Sequence, residues 1–143
     1  MARVALTLPE HLPFSTEIAL LRGHINAGNH LGNDALVGLL NEVRGRLLAN
    51  CGEREGGRDD GLVVVNADMA VRYISEAHYG ETLRFAAAFS DFHRCGFDIV
   101  YRVSETVSGR LVAEAKTAHL LMSPAQGRAV DLPPDMLAAL KSQ

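Results

Sequence analysis

The stretch His24-Ile25-Asn26-Ala27-Gly28-Asn29-His30-Leu31-Gly32-Asn33-Asp34 runs without a break into Ala35-Leu36-Val37-Gly38-Leu39-Leu40-Asn41-Glu42-Val43-Arg44-Gly45-Arg46-Leu47-Leu48. It reads as a polar turn feeding one long helix. Leu36, Leu39, Leu40, Val43 and Leu47 recur at the i, i+3, i+4, i+7 spacing of an amphipathic helix, and no other part of the chain keeps that period for so long. Asn33 or Asp34 is placed to cap the first turn, and an acid there complements the positive end of the helix dipole. Gly38 and Gly45 fall on one side of the helix. Each costs roughly 1 kcal/mol in helix propensity, which a sheet pressed closely against them would explain.

Around this helix the chain reads as strands. Ser15 to Arg22 is a first strand ended by Gly23, whereas Pro9 and Pro13 leave Met1 to Pro13 as an arm or a short edge strand. The segment Cys51 to Gly61 is rich in glycine and charge and is expected to be a solvated loop. Leu62 to Ile74 is long and β-branched. Leu83, Phe85, Ala87 and Phe89 share a face of the next strand, and Phe97, Ile99, Tyr101 and Val103 share a face of the one after. Ser108-Gly109 turns the chain into Arg110 to Met122, with Ala113, Ala115, Thr117, His119 and Leu121 on one face. A short helix, Asp135 to Leu140, closes the chain after Pro133 and Pro134. The order of one strand, one long helix and four strands predicts an α+β domain in which an antiparallel sheet lays one face on the helix. Strands of about 12 residues, or ~40 Å, are long enough to curl around it.

With 143 residues, 48% of them hydrophobic, the chain is expected to form one domain over 1–143. A net charge of −3, with 14 basic and 17 acidic residues scattered along the chain, offers no footprint for nucleic acid. Neither a signal-like N-terminus nor an apolar run of membrane-spanning length occurs, so the expected location is the cytoplasm with no membrane partner. Cys51 and Cys95 lack metal-ligand spacing and read as ordinary reduced thiols; no metal or cofactor is expected.

Three motifs carry a family resemblance. Asn29-His30-Leu31-Gly32-Asn33 precedes the helix, Glu42-Val43-Arg44 lies about twelve residues past His30, and Ala77-His78-Tyr79-Gly80-Glu81 marks a later turn. Over nearly its whole length the chain resembles the hotdog-fold thioesterases, in particular the branch like 4-hydroxybenzoyl-CoA thioesterase. That branch shows Asp-x-Asp-x-x-Gly-His-Val-Asn-Asn before its helix, then Glu-x-Arg, then a Tyr-Gly-Asp turn. The resemblance implies an acyl-CoA thioesterase. Its substrate would be an acyl thioester of CoA or of an acyl carrier protein, and its assembly a homodimer or homotetramer with acyl sites at subunit boundaries. The two aspartates of the motif fall here on His24 and Asn26, and it is the second to which the family's catalysis is usually assigned. A rival register, in which Gly23-His24-Ile25-Asn26 spells the motif, puts His24 in place of His30.

Thioester hydrolysis needs a donor for the developing oxyanion and a base or a nucleophile. Backbone amides at a helix N-terminus serve as such donors, so Gly32 and Asn33 are candidates, with Asn33 the one the resemblance favours. Asn26 cannot ionise and is left to orient water or substrate. His30 and Asp34 are the candidate base or nucleophile, each with a plainer alternative: a hydrogen-bonded turn histidine, and a capping acid. His24 and Glu42 complete the candidate set, Glu42 being also a natural partner for Arg46 at i+4. Among Arg72, Arg84, Arg102 and Arg110, one or two are candidates to meet CoA phosphates. Replacement of the acid by Asn26 also motivates a second reading, a non-hydrolytic acyl-thioester binding protein. A dehydratase of the same fold is disfavoured for lack of its motif.

Overall fold

The computed structural model describes Met1–Gln143. Strand β1 (Phe14–Ala19) passes through a single 3₁₀ turn (Arg22–His24) to helix α1 (Asn33–Asn50). Strands β2 (Val63–Tyr73), β3 (Thr82–His93), β4 (Gly96–Glu105) and β5 (Leu111–Ser123) follow, then a two-residue strand β6 (Arg128–Ala129) and helix α2 (Pro134–Lys141). All strands join one antiparallel sheet in the order β1-β3-β4-β5-β2, with β6 paired to the end of β5. This long sheet against one central helix is the hotdog fold. No helix is long and apolar enough to cross a membrane.

The two periods expected from sequence meet in the core. Leu36, Leu39, Leu40, Val43, Leu47 and Leu48 of α1 pack against Leu83 and Phe85 of β3, Phe97 to Val103 at alternate positions of β4, and Ala113, Ala115 and Leu121 of β5. Each fully buried leucine among them contributes roughly 1.5–3 kcal/mol. Gly96 lets β4 approach β5 closely: a Cβ there would stand 2.0 Å from the His119 carbonyl oxygen. On the opposite sheet face the N-terminal segment forms an arm, not a strand, with Leu12 buried against Ala88 and Val100.

Four local expectations are corrected. The first strand ends at Ala19, and Arg22–His24 winds into the 3₁₀ turn because the His24 imidazole Nδ1 accepts from the Leu21 amide (2.9 Å). Gly38 and Gly45 are exposed, and a Cβ at either meets nothing within 4 Å. At 100° per residue they fall opposite the leucine stripe, so no sheet presses on them. Neither Asn33 nor Asp34 caps α1; Gly32 is the cap residue and no side chain caps it. The loop from Cys51 to Gly61 is not fully solvated. Glu55 pairs with the buried Arg44 (Nε to Oε1, 2.7 Å), and Arg58, itself little exposed, pairs with Glu53 and Asp60.

Arg44 opens a polar seam through the core. Its Nη1 also donates to Asn41 (3.0 Å). Beyond it the Tyr101 hydroxyl bonds Thr117 Oγ1 (2.9 Å), which bonds His119 Nε2 (2.8 Å); His119 Nδ1 is buried with no partner. Burial, partly offset by the Thr117 bond, pushes the Tyr101 phenol up to about 12.

Candidate active site

The turn before α1 is built on Asn26. Its backbone amide donates to the His30 carbonyl (2.9 Å), its carbonyl accepts from Asn29 (3.0 Å), and its side-chain oxygen accepts from the Gly28 amide (2.9 Å). Asn29 sits at the crest with φ 63°, a left-handed conformation that asparagine tolerates better than most residues. Ile25 and Leu31 bridge across its base. The Asn26 oxygen thus serves the turn.

At the helix start the amides differ. The Gly32 amide donates to the His24 carbonyl (3.0 Å), and the Asp34 amide donates to Asn33 Oδ1 (3.0 Å). Gly32 is therefore not an open oxyanion donor, a correction that follows from the bridge folding the chain back on itself. The Asn33 amide has no acceptor within the chain and stands at the positive end of the helix dipole.

The candidate residues divide between two concavities. Asn26, His30 and Asn33 line one of about 540 Å³ together with Leu31 and the segment from Tyr73 to Glu76. His24, Asp34 and Glu42 line another of about 450 Å³, between α1 and β1. In the second, Glu42 pairs with Arg46 (2.8 Å), which also reaches Thr16 Oγ1 (2.8 Å). The Asp34 carboxylate folds back toward Gly32, where a Cβ would lie 2.5 Å from its Oδ1. The structure does not bring Asp34 to the side of the turn that His30 occupies.

The segment after β2 supplies side chains that sequence reasoning missed. His30 Nδ1 lies 3.2 Å from the Leu31 carbonyl, which only accepts, so Nδ1 is the donor there and in the neutral imidazole Nε2 is an acceptor. That Nε2 is 3.8 Å from Glu76 Oε1. His78 repeats the arrangement: its Nδ1 lies 3.3 Å from the Asn29 carbonyl and its Nε2 is 4.0 Å from Glu76 Oε2. No trio of such side chains converges to hold a metal ion. The backbone around Glu76 is firmly held. The Ser75 hydroxyl donates to the Leu111 carbonyl (2.6 Å), Arg110 donates to the Glu76 carbonyl (3.0 Å), and the Leu31 amide donates to the Ala77 carbonyl (2.8 Å). Partial desolvation raises the half-exposed Tyr73 phenol above its usual value, and it is a hydrogen-bond donor at neutral pH. The signal available in the sequence was only that Ser75-Glu76 abuts the Ala77-to-Glu81 motif.

The arginines considered for phosphate are engaged: Arg110 with Glu81 (2.9 Å), Arg72 with Glu114 (3.5 Å), Arg84 with Ser15 (3.3 Å) and Arg102 with the carbonyls of Pro9 and Glu10 (both 3.3 Å). Neither cysteine enters the concavity. Burial, with Glu53 nearby, pushes the Cys51 thiol up to about 11.

The sequence profile of the thioesterase-like superfamily matches residues 21–140. No curated protein matches the chain. Among solved structures, a 1,4-dihydroxy-2-naphthoyl-CoA thioesterase from Synechocystis superposes with TM-score 0.83 at 15% identity, covering 90% of this chain and 95% of its own. A hypothetical protein of Staphylococcus aureus in complex with CoA gives 0.84 at 13% identity, with 96% and 87% covered. A probable thioesterase from Escherichia coli gives 0.74 at 16% identity, with 89% and 96% covered. At these identities the likeness speaks to the fold.

Proposed function

The chain belongs to the thioesterase-like superfamily, and from that membership we propose that it hydrolyses an acyl-CoA thioester to the free acid and CoA. The observation that carries this is the unpaired amide of Asn33 at the N-terminus of α1, a residue that lines the same concavity as Asn26 and His30. A thioester carbonyl placed against that amide gains a hydrogen bond that strengthens as its oxygen takes on charge in the transition state. Asn26 holds the turn in shape, and its side-chain amide group is left to orient the substrate. His30 presents Nε2 as a proton acceptor. CoA as the carrier is supported by two of the similar structures, one named a CoA thioesterase and one bound to CoA.

In this reading one domain spanning 1–143 works in the cytoplasm as a homodimer or a homotetramer built from such dimers. Strand β2 is an edge, with Val65 and Tyr73 exposed along it and Ile74 just past its end. An open edge of eleven residues invites pairing with a second copy, and closed two-fold pairing is the commonest arrangement. Because Tyr73 also lines the concavity, that pairing would bring the partner's strand beside it.

The test is release of free thiol from a panel of short, long and aromatic acyl-CoAs. Turnover of at least one is expected. Binding without turnover of any would establish the other reading, a non-hydrolytic acyl-thioester binding protein, which the non-ionisable Asn26 favours.

A further inference from the structure

We infer that Glu76 is the catalytic base of this reaction, activating water jointly with His30; the inference rests on the thioesterase reading above. Three observations carry it. Glu76 is the only carboxylate lining the concavity that holds Asn26, His30 and Asn33. Its carboxylate makes no hydrogen bond to the chain and is 65% exposed, standing between His30 and, at 4.0 Å, His78, while its backbone is fixed by the hydrogen bond from Arg110. Finally, His30 Nε2 and Glu76 Oε1 face each other at 3.8 Å, too far for a direct bond, and in the neutral imidazole with its proton on Nδ1 both are acceptors.

Two acceptors facing at that distance are suited to one water between them. Acceptors around a tetrahedral water at ~2.8 Å stand about 4.4 Å apart, wider than the 3.8 Å found, and a small rotation of the exposed Glu76 side chain opens that gap. Such a water donates one hydrogen to Nε2 and the other to the carboxylate, which leaves a lone pair on its oxygen free for attack. As that lone pair forms the bond to the thioester carbonyl carbon, Glu76 takes the proton and the carbonyl π electrons move onto oxygen, facing the Asn33 amide. Collapse of the tetrahedral adduct re-forms the carbonyl and breaks the carbon–sulfur bond. The sulfur leaves with the electron pair and takes the proton from Glu76, so one water and one thioester yield one acid and one thiol. An acid contributed from beyond β2 thereby does what position 26 cannot.

The experiment compares wild type, Glu76→Gln, His30→Gln and the double variant on the best acyl-CoA of the panel, with melting temperatures alongside. Glu76→Gln is expected to lower kcat by about 10²- to 10⁴-fold, the range for losing a general base. KM and melting temperature should stay within experimental error, because the carboxylate is solvated and bonds nothing in the chain. The double variant should lose no more than the worse single one, the mark of two groups acting on one water. A folded Glu76→Gln enzyme with wild-type kcat would overturn the assignment and leave the hydrolase reading standing. Losses that multiply in the double variant would overturn the shared water. A wild type inert toward every acyl-CoA would remove the hydrolase reading and this inference with it.

Discussion

Replacing Asn33 by proline is expected to lower kcat for the proposed acyl-CoA hydrolysis by about 10²- to 10³-fold, the scale of losing one oxyanion donor, and to leave the fold intact. The fold tolerates the change because Asn33 is the first helical residue, where proline's fixed φ suits the helix and its missing N–H costs no intrahelical bond. Gly32 before it already has φ −70° and ψ 148°, the extended conformation that a residue preceding proline requires. The amide removed makes no hydrogen bond within the chain, and the one bond lost with the side chain, from the Asp34 amide to Asn33 Oδ1, is exposed. Asn33→Ala is the control: it deletes the side chain, keeps the N–H, and should retain most of the rate. Steady-state thiol release with a melting curve for each variant decides the matter, and a fully active proline variant would remove Asn33 from the mechanism.

Acid destabilises the protein through a group far from that chemistry. Burial, reinforced by the nearby Arg44 cation, lowers the His119 pKa from 6.5 to about 4, and its unpartnered Nδ1 shows why a second proton finds no acceptor. The sign follows directly. The folded-state pKa is depressed, so between pH 6.5 and 4 the unfolded chain binds a proton that the folded chain does not, and stability falls as pH falls through that window. The full effect is about 3 kcal/mol, complete near pH 4 and absent at pH 7. Glu105, whose carboxylate is held below its usual pKa by hydrogen bonds from Ser108 and the Val107 amide, steepens only the more acidic end. Denaturant unfolding from pH 7 to pH 4 measures the slope. In His119→Phe, where a ring still packs on Phe97, the slope should drop by one proton over this window; parallel curves for the two proteins would refute the assignment.

The architecture was legible wherever period and burial coincide. Phe97, Ile99, Tyr101 and Val103 alternate in sequence and are all fully buried, and the α1 leucines face them as their spacing predicts. What escaped the sequence was sidedness and long-range company. Spacing along the turn does not say that the left-handed Asn29 and the Ile25–Leu31 bridge put Asn26, His30 and Asn33 on one side and His24, Asp34 and Glu42 on the other. Nor does it say that Arg44 turns inward to Glu55 while Arg46, half a turn on, stays outside with Glu42. Glu76 carries no local pattern; its place beside His30 exists only because the Leu31 amide bonds the Ala77 carbonyl after the chain has traversed α1 and β2. The charged loop misled for the same reason, since its Glu55 meets Arg44, fixed on α1.

That last hydrogen bond also bears on the order in which the molecule assembles. Strands β3, β4 and β5 pair with their sequence neighbours through short hairpins, so their contacts close small loops and form early. Strand β1 must instead find β3 across the whole of α1 and β2, as Ser15 does with Ala86, and β2 must return to β5 past two intervening strands. The concavity lies where these distant closures meet, with one wall before α1 and the other after β2. It is therefore a late product of folding and an early casualty of local opening, so the Leu31 amide should exchange its hydrogen faster than that of Tyr101 in β4. Equal protection at the two amides would show that the catalytic seam closes together with the sheet. If the order holds, the concavity opens before the sheet does, and a bound acyl-CoA would act as its missing clasp.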